Sequence, residues 1–257
     1  MTNSIRSDRK ITVELCVGGI DDVVLAASRL VDRIELNCGM AIGGLTPTLT
    51  LAETARAIFP GPIIAMVRPR EGGFFYSDAE FRLMLREGKS LLEKDLQGLA
   101  TGFLTQNNQV DVVRCLEFRE AFPDATLVFH KAFDFVPDRK ASLQQLIDCG
   151  FNRILTSGGA RTAMEGATEL SNLHQLAGGR IEILPGGGIR ADNVASLIQA
   201  TGIRQIHSAA REIASETTAH STSGLGMPGC DDFHYSRTSQ QKLDAILQET
   251  EQMDFKE

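Results

Sequence analysis

Short runs of β-branched and aliphatic residues recur along the chain at 11–17, 33–37, 62–68, 97–103, 126–130, 153–157, 180–184 and 204–208. Between them lie stretches with the apolar spacing of amphipathic helices, such as DDVVLAASRL from Asp21 and the segment from Ser77 to Lys94. Strands joined through helices must run parallel, because a parallel connection needs a crossover long enough to hold one. Eight such repeats, each roughly 20 to 35 residues long, predict an α/β fold, a single (β/α)8 TIM-like barrel over 11–211. No composition break divides the chain, so 1–257 is expected to be one domain. The remainder, 212–257, predicts a C-terminal loop of small and polar residues and a helix over 238–253 that packs back on the barrel.

Alternate residues of a barrel strand face the lumen, so side-chain parity sorts each run. In the first run Val13, Leu15 and Val17 share the apolar parity, which leaves Glu14 and Cys16 inward. The second directs Arg33, Glu35 and Asn37 inward, the third Arg68, the fifth His130, the seventh Arg180 and Glu182, and the eighth Gln205 and His207. A lumen is ordinarily packed with layers of Val, Ile and Leu, and a buried charge is costly unless it is paired. This polar content therefore predicts a scaffold of ion pairs, a site facing solvent, or both. Arg33, Glu182 and Gln205 lie deeper and fit the scaffold. Glu14, Glu35, Arg68 and His130 lie nearer the C-terminal strand ends, where barrel enzymes do their chemistry, and are the catalytic candidates. Asn37, Arg70, Asp134 and His207 are the adjoining substrate-binding candidates, and the small inward residues Gly98, Ala100 and Gly102 are expected to leave room for a ligand.

After the seventh run comes Pro185-Gly186-Gly187-Gly188, with Asp192 and Asn193 opening a helix, and the eighth run ends at Ser208. Glycines at a strand-to-helix turn let backbone amides approach an anion, and the helix N-terminus adds its dipole. Gly186, Gly187, Gly188 and Ser208 are thus the anion-binding candidates. The glycines do not form the dinucleotide fingerprint, so no nucleotide cofactor is expected. Lys131 has the opposite parity to His130, which directs it towards the helices and argues against Schiff-base aldolase chemistry.

Composition narrows the function classes. A net charge of -7 with no Trp and two Tyr gives neither the basic footprint nor the stacking surface of a nucleic-acid binder. No apolar run is long enough to span a membrane, and the N-terminus lacks a secretory pattern, so a cytoplasmic chain with a small-molecule or metal ligand is expected. Its five cysteines include no CxxC pair. Cys16 and Cys38, on neighbouring runs, are the candidates for a shared soft metal; Met227, Cys230 and His234 form a second soft cluster that reads more simply as loop.

The ordered fragments Glu14-Leu15-Cys16, Asp32-Arg33-Ile34-Glu35-Leu36, Gly43-Gly44-Leu45-Thr46-Pro47, Met66-Val67-Arg68-Pro69-Arg70, Phe129-His130-Lys131-Ala132-Phe133-Asp134 and Pro185-Gly186-Gly187-Gly188 resemble the CutC copper-homeostasis family over about 11–211. The resemblance implies a TIM-like barrel, a cytoplasmic homo-oligomer (dimer or tetramer), and Cu(I) binding or buffering through cysteines. Asn37 stands where that family commonly has a cysteine. Two functions therefore compete. One is copper homeostasis of CutC type. The other, from the residues themselves, is a barrel enzyme of isomerase or lyase type acting on a small anionic, phosphorylated or sugar-like substrate.

Overall fold

The computed structural model describes residues 11–215 and 234–253. Eight parallel strands, β1 (Thr12–Val17), β2 (Arg33–Leu36), β3 (Ile63–Met66), β4 (Gly98–Thr101), β5 (Thr126–Phe129), β6 (Arg153–Thr156), β7 (Glu182–Pro185) and β8 (Gln205–Ser208), form one sheet ordered β7-β6-β5-β4-β3-β2-β1-β8. Its ends meet through a bridge between Gly186 and His207, so the sheet closes into the expected (β/α)8 barrel with a thinly bonded seam. Gln205 reinforces that seam by donating its side-chain amide to the Ile183 carbonyl at 3.1 Å. Around the barrel run α1 (Ile20–Ser28), α2 (Leu49–Ile58), α3 (Asp78–Leu92), α4 (Val112–Ala121), α5 (Arg139–Asp148), α6 (Ala167–Ala177) and α7 (Val194–Thr201). Short polar side chains start several of them by satisfying free amides: Thr48 caps α2, and Ser77 with Glu80 forms a reciprocal capping box on α3.

The main core lies between strands and helices, where the outward residues Val13, Leu15, Ile34, Leu36, Leu127 and Phe129 are buried. The lumen is divided. Ile64, Met66, Ala100, Val128, Leu155 and Leu184 fill the half lined by β3 to β7, while Glu14, Cys16, Arg33, Glu35 and His207 occupy the half lined by β8, β1 and β2. Three expectations are corrected here. Ala100 joins the apolar layer, and a Cβ on Gly102 would stand 2.5 Å from the His130 ring, so strand four is close-packed and leaves no room for a ligand. Arg180 precedes β7 and bonds the Gln144 side chain and the Leu176 carbonyl on the helix layer. And part of the segment expected to be loop is a hairpin, with β9 (Arg211–Ser215) antiparallel to β10 (His234–Thr238). The expected last helix is α8 (Gln240–Glu251), which packs on α7 and buries Leu243, Ile246 and Leu247. Met227, Cys230 and most of the C-terminal loop lie outside the described residues.

Candidate active site

Register alone brings the polar half of the lumen together. Glu14 of β1 pairs laterally with Arg33 on one side and His207 on the other, and Cys16 pairs with Glu35. Glu14 forms an ion pair with the Arg33 guanidinium, and the Arg153 guanidinium of β6 lies 4.0 Å from it. His207 Nδ1 lies 2.7 Å from Glu14 Oε1, while its Nε2 faces Glu35 Oε2 at 3.9 Å. One imidazole therefore stands between two buried carboxylates. Asn37 donates its side-chain amide to Glu35 Oε2 at 2.9 Å, and the Cys16 thiol lies 3.5 Å from the same oxygen. Glu35 Oε1 and Asn37 Oδ1 are buried without a hydrogen-bond partner among the described residues, which is unusual unless water or a ligand meets them.

The two carboxylates are electrostatically unlike. Burial alone would raise the Glu14 carboxyl, but Arg33 foremost, then His207 and Arg153, hold it well below the usual carboxylate range. Among the described residues no guanidinium pairs with Glu35. Burial pushes its carboxyl up, Glu14 adds repulsion, and His207 only partly opposes them. Burial would lower His207, yet Glu35, Cys16 and Glu14 outweigh it and raise the imidazole well above its ordinary value. The environment thus favours a proton on both His207 and Glu35, whose facing atoms lie 3.9 Å apart, and favours the ionised form of Glu14, which at 2.7 Å fixes the imidazole's orientation. The Cys16 thiol is raised by burial and by Glu35, so it stays protonated.

Arg68 and His130 do not join this cluster, so the expectation of one catalytic group made of Glu14, Glu35, Arg68 and His130 is corrected. The Arg68 guanidinium donates to the carbonyls of Ile42, Gly44 and Gly72 and lies over the Phe74 ring, which ties the loops after β2 and β3 together. His130 accepts from the Ala132 amide at Nδ1, and burial together with Arg68 lowers its pKa to about 3, so it is neutral. Its Nε2 is buried without a hydrogen-bond partner among the described residues. Arg70 pairs with Glu80 on α3. Asp134 accepts from Thr156, from the Ser157 amide and hydroxyl, and from the Gly159 amide, and so organises the loop after β6. Ile154 and Leu155 are both apolar, so the alternation of the sixth run does not mark Arg153 as inward.

The glycine-rich loop after β7 borders a cavity of about 720 Å³ that extends to the end of β8 and to α8. Gly187 and Gly188 take φ values of 107° and 69°, which only glycine adopts without strain. Among the described residues no acceptor binds their amides, and Asn193 closes the turn by donating to the Gly188 carbonyl. Ser208 is engaged: its hydroxyl donates to the Ile189 carbonyl and accepts from Ala210. Lys131, expected among the helices, instead lines the cavity, with Nζ 3.3 Å from where a Cβ on Gly187 would be. The reason is local. β5 ends at Phe129, and a 3-10 turn over Lys131–Phe135 breaks the strand parity on which the expectation rested. His207 borders both the cavity and the ionic cluster.

A Cu(I) site on Cys16 and Cys38 does not fit this geometry. Cys38 follows β2 with outward parity, and its thiol donates to the Thr46 carbonyl at 3.0 Å. The donors that do converge are Cys16, Glu35 and His207, whose ligand atoms lie within 4.8 Å of one another. Cu(I) favours paired soft thiolates. This trio has one thiol, protonated, beside a hard carboxylate.

Fold and site together define a (β/α)8 barrel protein with an ionic cluster in its lumen beside a cavity at its β7/β8 mouth. The profile of the CutC family matches residues 11–212, and the chain belongs to that family. It is 43% identical to a CutC family protein of Treponema denticola over 79% of this chain and 82% of the relative. With a CutC family protein of Vibrio cholerae it shares 37% identity over 91% of this chain and 94% of the relative. The crystal structure described as copper homeostasis protein CutC from Streptococcus agalactiae superposes with a TM-score of 0.75 at 33% identity, over 77% of this chain and 98% of that one. No helix among the described residues is long and apolar enough to cross a membrane.

Proposed function

We propose that the protein is a barrel enzyme of isomerase or lyase type that acts on a small anionic substrate. One observation carries this reading: His207 forms the inner wall of the β7/β8 cavity and is at the same time hydrogen-bonded to Glu14 and close to Glu35. The amides of Gly187 and Gly188, the N-terminus of α7 and the Lys131 ammonium hold the anion. Glu35 takes a proton from the substrate carbon, and protonated His207 donates to the oxygen on which charge develops. Glu14 keeps Nδ1 occupied, so that Nε2 is the exchanging atom. Asn37 orients the Glu35 carboxylate. The same reading takes the protein as a cytoplasmic homo-oligomer, on the family resemblance alone.

The test is a turnover screen of organic phosphates and carboxylates with native protein and Glu35→Gln. The expected result is a substrate whose turnover falls about 10²- to 10⁴-fold in Glu35→Gln, at a melting temperature equal to or above the native one. Severe loss of the fold in Glu35→Gln, with ligand binding unaltered in the folded fraction, would make Glu35 scaffold and remove the base.

A second reading, copper handling, is favoured by the convergence of Cys16, Glu35 and His207. It rests on those three residues and not on a cysteine pair.

A further inference from the structure

We propose that Arg68 and His130 form a second ligand site, for the carboxylate group of a small organic acid, beneath the Phe74 ring on the β3 to β5 side of the barrel mouth. In the ring of eight strands β4 stands opposite β8, so this place lies across the lumen from the glycine turn. It goes beyond the reading above and does not depend on it.

Charge is the first observation. Arg68 is only 6% exposed, yet among the described residues no carboxylate pairs with it, whereas Arg33, Arg70, Arg153 and Arg211 each have one. The carbonyls of Ile42, Gly44 and Gly72 fix its guanidinium in place without neutralising it. A buried cation without a counter-ion is costly, and a bound anion offsets that cost.

Unmet donors are the second observation. Arg68 Nε is buried without an acceptor among the described residues, and the Tyr76 hydroxyl beside it is likewise buried without a hydrogen-bond partner. His130 is 4% exposed and neutral. Because its Nδ1 accepts from the Ala132 amide, its one ring proton sits on Nε2, which meets no acceptor among the described residues either. A Cβ on Gly102 would stand 2.5 Å from the imidazole, so the ring leans over β4, the strand between its own and that of Arg68. Phe74 packs on both groups, its ring centroid 4.9 Å from that of His130 and 5.3 Å from the Arg68 guanidinium carbon. A carboxylate has two oxygens that accept and none that donates, and it carries the missing charge. Water would meet the donors and leave the charge unpaired. Phe74 is half-buried and follows Gly72 and Gly73, the latter with open space around it, so the ring can turn outward and admit the group.

The experiment is an NMR titration of the full chain with sodium acetate, against sodium chloride at equal ionic strength. It is read at the His130 ring and the Ala132, Gly187 and Gly188 amides, and repeated on His130→Asn, Arg68→Met and Phe74→Ala. In His130→Asn the side-chain oxygen can still accept from Ala132, but no atom stands at Nε2. Acetate, and not chloride, is expected to shift the His130 and Ala132 signals saturably in the native protein. His130→Asn and Arg68→Met are expected to weaken acetate about tenfold or more, and Phe74→Ala to strengthen it severalfold. Equal shifts with chloride, or native affinity in a folded His130→Asn, would overturn the site. Shifts confined to Gly187 and Gly188 would place acetate on the β7/β8 turn alone and would also overturn it. Weaker binding in Phe74→Ala would contradict the ring's part as a cover.

Discussion

His207 is the residue on which the account turns, because its position between two carboxylates gives it opposite relations to each. Its Nδ1 lies 2.7 Å from Glu14, which Arg33 keeps ionised, and its Nε2 faces Glu35, whose carboxyl burial pushes up, at 3.9 Å. Its pKa is raised above the ordinary 6.5, and that of Glu35 above 4.5, so the folded pair keeps a proton that the unfolded chain releases. The stabilisation from protonated His207 is complete below the unfolded value and fades as pH rises through the folded one. A native protein warmed at successively higher pH above neutrality should therefore melt earlier, on the order of 3 °C per pH unit, while a His207→Gln, Glu35→Gln double variant, which holds no such proton, stays nearly level. Parallel curves would show that the pair keeps no such proton. Glu14, lowered by Arg33, has the reverse sign: its contribution is present above its ordinary value and is lost only in acid. Parity made Glu14, Glu35, Asn37 and His207 legible as inward residues, since a strand's two-residue period needs no tertiary knowledge. Their pairing was not legible. Which guanidinium meets which carboxylate depends on register and tilt, so that Arg33 and Arg153, and not the candidate Arg68, meet Glu14.

At the scale of elements, the reading held where a strand continued and failed where it ended. β5 stops at Phe129, so parity extended to Lys131 pointed it to the wrong neighbours, whereas Cys38, past the end of β2 at Leu36, was paired with Cys16 on the adjacency of their runs, which its outward parity already opposed. Cys38 pairs with Leu45 across a turn and bonds Thr46, whereas Lys131 swings over the loop after β7. A copper prediction belongs to this scale. In a Cu(I) competition titration, Cys38→Ser should leave any specific binding unchanged, and Cys16→Ser should weaken it, because only Cys16 faces Glu35 and His207. Equal loss in both variants would restore the cysteine pair. The β9-β10 hairpin was hidden for a different reason: its strands are short, mixed in polarity and far apart in sequence, so their pairing left no local period.

For the whole molecule, the division of the lumen explains how one barrel is both stable and polar inside. The apolar layer built by β3 to β7 packs as an ordinary barrel core, and the charges gather at β8, β1 and β2 with Arg153 reaching in from β6, beside the seam where the sheet closes through one bridge among the described residues. The number and order of strands were legible because eight similar repeats leave few other topologies. The role of α8 was not, since a helix that packs back on a barrel shows in sequence only its own apolar face. Seam, glycine turn, Lys131 and α8 together make the cavity that joins solvent to His207. The most direct measurement is a crystal structure of the native protein soaked in phosphate. The account predicts an ordered anion on the Gly187 and Gly188 amides, within reach of Lys131 and with His207 at the inner end of the same cavity. A saturated crystal with that turn bare, or with the anion held only by surface arginines, would contradict it.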